Sequence, residues 1–368
     1  MKTLSHLLSP LTLRDVILRN RLGLPPMSQY SAEPGRHTAN DWHLHHYATR
    51  AQGVGVVIVE ATAISAQALV TPHDLGLWND AQQESLDDVA TAITVGGAVP
   101  ALQLCHGGRK ASRTRPWDGD TWIRPDQGGW PVLGPSPIPF ADGYPTPREA
   151  TEDDLARVVD DFASAAGRAA AAGFAMVELH AGHGRLLHSF LSPVANQRTD
   201  RYGGSFTNRV RLLMETVAAV RSVWPAHLPL AVRLSCEDHE PDGWGMQDTV
   251  RLAALLGGAG VDLIDCTSGG VRRPQTYRPS PGYQVPYAAT IRSKTGVPTA
   301  AVGLITSLAQ ARSVVERGDA DLVLMGRRLL TDPALPWRET HLHGAGWVPV
   351  QYRRAMRRVP AADVVPEL

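Results

Sequence analysis

Residues 151–180, TEDDLARVVDDFASAAGRAAAAGFAMVELH, contain one unit of the repeat that decides the fold. Thr151 heads a T-x-x-D cap, Leu155, Val158, Val159 and Phe162 follow at helical spacing, and Gly173 comes after the last turn. The chain then turns apolar at AMVELH (175–180), where Val177 and Leu179 alternate with Glu178 and His180. Successive strand side chains point to opposite faces, so Val177 and Leu179 can face helices while Glu178 and His180 share the interior face. The unit is a capped helix feeding a strand with a polar end.

Similar apolar runs recur along the chain: LGLPPM (22–27), VGVVIVEA (54–61), AVPALQLC (98–105), LPLAVRLS (228–235), VDLIDC (261–266), PTAAVG (298–303) and ADLVLMG (320–326). With AMVELH they make eight. Between them, Val210, Leu213, Met214, Val217 and Val220 mark a helix stopped by Pro225, and another spans Ser307 to Glu316, ending at Gly318. Eight strand–helix repeats predict an α/β fold, a (β/α)₈ TIM barrel occupying residues 1–346. TLRDVILRNR (12–21) alternates like a hairpin and is expected to cap the barrel's bottom. Residues 113–147 are rich in Pro, Gly and Trp and follow the third strand, so a lid or binding loop is expected there. The tail, 347–368, is expected to fray or to dock on a neighbouring subunit.

The chain has 368 residues, 43% of them hydrophobic, which excludes a disordered or fibrous protein. Its 36 basic residues balance 36 acidic ones, so no net field draws it to nucleic acid or to an anionic membrane. Cys105, Cys236 and Cys266 are odd in number, widely spaced and without a C-x-x-C pair. That argues against disulfides and against a cysteine-bound zinc or iron–sulfur cluster. No leader-like h-region and no run of about 18 apolar residues is present, and a cytoplasmic location is expected.

Barrels of this kind build their active sites where the strands end. Here the runs end in Pro26-Met27-Ser28, Glu60-Ala61, Gln103 with His106, His180 with His183, Arg233, Asp265 with Ser268-Gly269-Gly270, Gly303, and Gly326-Arg327. Glycines after the last two strands, with Arg327 beside one, suit a phosphate held by backbone N–H groups and a guanidinium. His180 and His183 can converge on one small group, although either alone reads equally as a structural histidine. A metal site on His43, His45, His46, His180 and His183 is the competing reading. The first strand ends in Pro-Pro-Met-Ser rather than His-x-His, and DWHLHHYATRA (41–51) reads as a helix in which His43 and His46 pack on one face. No metal is expected.

The stretch HAGHGRLLHSFLSPVANQRTDRYGGSFTNR (180–209) closely resembles the signature segment of the old yellow enzyme family. PPMSQY (25–30), VEATA (59–63), QLCHGGRK (103–110), VRLS (232–235), VDLIDCTSGG (261–270), AVGLIT (301–306) and MGRRLLTDP (325–333) match in order, and PVQYRR (349–354) is similar to the bacterial ene-reductase branch. The resemblance implies an FMN enzyme in which NAD(P)H reduces the flavin and an activated alkene is reduced in turn. It implies that Pro25, Pro26, Met27, Ser28 and Ala61 line the isoalloxazine, with Gln103 on its pyrimidine edge and Arg233 facing N1–C2. Gly303, Gly326 and Arg327 would hold the phosphate. His180 and His183 would bind the oxygen of an enone or nitro substrate, and Tyr30 with a neighbouring subunit's Arg354 would border the pocket. A homodimer or homotetramer is implied.

Two positions depart from the pattern. Ser28 stands where this branch often has a Cys that modulates the flavin. Arg185 stands where the family has the Tyr that protonates the α carbon, and a guanidinium cannot supply a proton near neutral pH. Three readings of Arg185 stay open. Tyr30 or water supplies the proton instead; the fork grips an anionic substrate group; or the side chain turns away to pair with an acid. The alternative functions are a dehydrogenase, desaturase or aromatising enzyme acting on an anionic substrate, a metal-dependent barrel hydrolase, and an inactive flavin-binding barrel.

Overall fold

The computed structural model describes residues 6–273, 277–342 and 347–356. Eight parallel strands close into one barrel: β1 (Leu22–Leu24), β2 (Val56–Ala63), β3 (Val99–Cys105), β4 (Met176–Ala181), β5 (Leu230–Ser235), β6 (Leu263–Thr267), β7 (Thr299–Ala301) and β8 (Leu322–Leu324). Each pairs with its neighbours in chain order, and β8 closes on β1 with Val323 opposite Leu22. The (β/α)₈ expectation is met by the eight runs read from the sequence.

Their ends shift for physical reasons. β1 stops at Leu24 because Pro25 and Pro26 have no N–H to continue a ladder. β2 runs on to Ala63 through a register shift between Val59 and Thr62, a bulge that re-aims Glu60 and Ala61 at the barrel mouth.

The alternation of strand side chains divides the core in two. Outward Val57, Val59, Leu102, Leu104, Val177 and Leu179 pack with the helices. Helix α3 (Glu152–Ala171) is typical of those helices. Thr151 Oγ1 accepts from Asp154 N while the Asp154 carboxylate accepts from Thr151 N, and Leu155, Val158, Phe162 and Ala166 bury one face. Inward Val56, Ile58, Ala101, Met176, Ala231, Leu263 and Leu322 form an apolar layer with Leu11, Leu13 and Leu18. Those three leucines come from the antiparallel hairpin Leu11–Leu13/Val16–Leu18, which plugs the bottom as expected. Above this layer the inward positions turn polar, at Gln103, Glu178, Arg233 and Asp265.

Residues 113–147 are more structured than their composition predicts. Short turns at Pro116–Asp118 and Pro125–Gln127 and a pairing of Leu133–Gly134 with Arg148–Glu149 satisfy the backbone. Arg113 pairs with Asp120 at 2.9 Å and lies 3.6 Å from the Tyr144 ring centroid. The described part of the tail packs on its own chain, where Val348 is buried and the Tyr352 ring lies 5.8 Å from Trp337. Arg354 is exposed there. Residues 357–368 fall outside the described segments. Among the described residues no helix is long and apolar enough to cross a membrane.

Candidate active site

Four inward side chains form the wall just above the apolar layer. Gln103 Nε2 donates to Glu178 Oε1 at 2.8 Å, and Arg233 Nε lies 3.2 Å from Asp265 Oδ2. Glu178 Oε2 and both Asp265 oxygens are buried without a conventional donor. Burial raises Glu178 most, with the Asp265 charge adding to it; burial also raises Asp265, but Arg233 opposes that shift. The consistent state has Glu178 protonated and sharing its proton with Asp265, which in turn neutralises Arg233. Arg233 Nε keeps no hydrogen bond of its own.

His180 and His183 stand one layer higher, with ring centroids 5.3 Å apart and planes at 82°. Burial, and then the cations around them, hold both imidazoles well below their usual pKa, so both are neutral. His183 adopts a left-handed φ of 54°, with its N–H held by Ser235 Oγ at 2.8 Å. Gly270 leaves room for that turn, because a Cβ there would lie 2.7 Å from His183 Cα. Thr267 Oγ1 lies 2.8 Å from His183 Nε2 and accepts from Gln284 Nε2 at 3.1 Å. The hydroxyl can donate to His183 Nε2 or accept from it, and in either case the contact orients the ring. His180 Nδ1 is buried without a partner.

The ends of β1, β2 and β8 meet opposite the histidines. A Cβ on Gly326 would sit 3.1 Å from Met27 Sδ and 3.4 Å from Pro25. Gln29 Nε2 donates to the Met27 carbonyl at 2.7 Å, fixing the Pro26-Met27-Ser28 turn. Beside Ala61, Glu60 accepts from Gln29 N at 2.7 Å and from Tyr47 Oη at 3.0 Å, with burial raising its pKa to about 8. Gly303 has a φ of 114° and packs against Gln284 and Tyr283; Arg327 is exposed after β8, its charge reaching Tyr283. Tyr30, at a φ of 52°, meets Trp117 of the 113–147 segment edge to face at 5.6 Å. Burial raises the Tyr30 pKa against the opposing charge of Arg185, so the phenol keeps its proton.

Arg185 does not turn away to an acid. No carboxylate lies within ion-pair distance of it among the described residues, and its Nε and Nη1 are buried with no hydrogen-bond partner. Each such orphaned donor costs about 1–3 kcal/mol. Exposed Arg354 makes no hydrogen bond or ion pair with these residues among those described. His43 and His46 are buried in helix α1 (Asp41–Ala51), His43 lying 3.7 Å from Glu60, whereas His45 is not buried. Among the described residues no cluster of three or more His, Cys, Asp or Glu is arranged around a metal ion.

Sequence reasoning missed Thr267, Ser235, Gln284 and Lys110 as parts of the site. Thr267 and Ser235 lie two residues after Asp265 and Arg233, so strand alternation carried the signal for both. Gln284 and Lys110 come from loops and left none.

The wall fits a flavin mononucleotide. Gln103 and Arg233 present polar atoms inward, Gly326 opens space beside Met27, and an arginine follows β8. The NADH:flavin oxidoreductase / NADH oxidase family matches residues 6–342. An NADPH dehydrogenase of Geobacillus thermodenitrificans (strain NG80-2) is 42% identical over 353 residues, covering 95% of this chain and 98% of that one. Morphinone reductase aligns with a TM-score of 0.75 at 27% identity, over 93% of this chain and 90% of that chain. The old yellow enzyme homologue of Zymomonas mobilis aligns with a TM-score of 0.74 at 24% identity, over 96% and 99%. The chain belongs to the old yellow enzyme family of FMN-dependent oxidoreductases.

Proposed function

We propose that this enzyme reduces C=C bonds conjugated to a carbonyl or nitro group, with NAD(P)H as the electron donor. The observation that carries this reading is the pair of neutral, converging imidazoles of His180 and His183 above the Gln103–Arg233 wall. FMN, when bound, supplies the two-electron chemistry linking the nicotinamide to the alkene. Pro25, Pro26, Met27, Ser28, Ala61, Gln103 and Arg233 hold its ring system, and Gly303, Gly326 and Arg327 its phosphate.

A substrate oxygen accepts hydrogen bonds from His180 and His183, which draws electron density from the β carbon and stabilises the enolate-like charge that develops. Because the imidazoles are neutral, they polarise the oxygen without giving up a proton. Tyr30 borders the same space with its phenol protonated and is the proton source at the α carbon, in place of the tyrosine that Arg185 replaces. Arg233, held by Asp265, presents its guanidinium N–H groups to the wall side. The residue pattern supports a homodimer or homotetramer in which Arg354 reaches a neighbouring subunit's pocket.

Turnover tests the direction of the reaction. The enzyme is expected to oxidise NADPH anaerobically in the presence of a cyclic enone or a nitroalkene, yielding the saturated product. Formation of an unsaturated product from a saturated carbonyl compound, with no enone reduction, would overturn the reductive reading.

A further inference from the structure

Among the described residues, Arg109, Lys110 and Arg185 at the barrel mouth have no carboxylate within ion-pair distance. Two of them find carbonyl partners, although Arg109 Nε stays unpaired. Arg109 donates to the carbonyls of Ile138, Pro139 and Val271. Lys110 Nζ donates to the His183 carbonyl at 2.9 Å and the Gly270 carbonyl at 3.3 Å, and lies 4.0 Å from the Phe140 ring centroid. Arg185 has no such partners. Its main chain is fixed, with N bonded to Gly182 O at 3.1 Å and O accepting from Ser189 N at 2.8 Å, yet Nε and Nη1 are sealed and unpaired.

The side chain's neighbourhood is the substrate space itself. The Arg185 charge acts on Tyr30, Asp74, Cys105, Lys110, His180 and His183, which come from the loops and strand ends around that mouth. Asp74, the acid in this group, is already committed: Oδ1 accepts from Thr71 Oγ1 at 2.7 Å, and Oδ2 from Val70 N at 2.8 Å and Thr71 N at 3.0 Å. A guanidinium with no acid of its own, its charge felt by two imidazoles that can bind an oxygen, is complementary to an ionised carboxylate.

We propose that Arg185 is the specificity-determining residue of this enzyme and that its substrates are α,β-unsaturated compounds carrying a carboxylate besides the activating carbonyl or nitro group. The carboxylate is held by the Arg185 guanidinium while His180 and His183 hold the activating oxygen. This rests on the ene-reduction reading and adds its substrate class. The residue that replaces the usual acid thus acts in binding, and the proton comes from elsewhere.

The test compares an enone acid with its primary amide, a pair matched in shape and differing in charge. Saturated analogues of both are titrated into oxidised holoenzyme, with the visible flavin spectrum and isothermal calorimetry as readouts independent of turnover. KM and kcat are then measured for the enones themselves. Wild type is expected to bind the acid at least about tenfold more tightly than the amide, with the preference falling as salt rises. Arg185→Gln is expected to bring that ratio toward one, and Arg185→Lys to retain part of it.

Equal binding of acid and amide by wild type overturns the proposal, and so does a ratio that survives in Arg185→Gln. A substitution effect confined to the KM for NADPH overturns it as well, because the guanidinium then serves the dinucleotide phosphates. The two readings fail separately. Enone reduction without acid preference removes the anion site alone, whereas acid-selective binding without reduction removes the direction of the chemistry and leaves the anion site standing. The wild-type comparison decides the matter even if a variant does not fold.

Discussion

Arg233 Nε lies 3.2 Å from Asp265 Oδ2 on the adjacent strand, both side chains buried and facing the barrel interior. Residues 233 and 265 are direct register partners between β5 and β6, so the ion pair is set by backbone pairing and does not depend on a flexible loop. It joins the apolar plug below to the cofactor wall above.

Asp265→Asn keeps the shape and removes the charge, leaving the Arg233 guanidinium without its counter-ion. Breaking a buried pair on one side costs about 3–5 kcal/mol. The urea midpoint of the holoenzyme is expected to fall accordingly, together with a weaker hold on FMN. An unchanged midpoint would show that Asp265 does not support Arg233.

The proton on Glu178 makes a pH prediction. Its folded pKa is raised above the unfolded value, chiefly by burial, to about 8. The stability it contributes is therefore complete below the unfolded carboxyl pKa and is lost as pH rises through the folded value. Glu60 shifts in the same direction, also to about 8. Thermal stability is expected to decline as pH rises from the unfolded carboxyl range to about 8 and to level off above it, and Glu178→Gln, which mimics the protonated acid, is expected to flatten that decline partly, with Glu60 carrying the rest. An identical decline across that range in the variant would contradict a proton held on Glu178.

Thr267→Val removes the hydroxyl 2.8 Å from His183 Nε2 while keeping the branched shape. His183 loses the contact that orients its ring, and one hydrogen bond of this kind contributes about 0.5–1.5 kcal/mol. A fall in kcat/KM of several-fold to about tenfold is expected, with FMN content unchanged. Full activity would mean that Thr267 does not orient the ring.

Gly270→Ala places a Cβ 2.7 Å from His183 Cα at a φ of 86°. The backbone rather than a side-chain end must move, so enone turnover is expected to fall by at least about tenfold, and the melting temperature to drop. Normal turnover would show that the His183 turn tolerates displacement.

The barrel was legible in the sequence because eight apolar runs alternate with capped helices, and strand alternation marked Glu178 and His180 as inward. Strand ends were less so. Prolines cut β1 short, and the bulge at Glu60-Ala61 depends on pairing that no single strand reveals. The 113–147 segment looked structureless because its order comes from contacts such as Arg113 on Tyr144 rather than from periodicity. Arg185 was recognisable as a departure, and its surroundings argue against one of the three readings: the acid that might have paired with it, Asp74, is committed to Val70 and Thr71.

The most direct measurement is an anaerobic visible titration of the purified protein. Stoichiometric bound FMN is expected, bleached by NADPH and restored to yellow by an enone. A protein that binds no FMN, or a yellow protein that NADPH cannot bleach, would contradict that expectation.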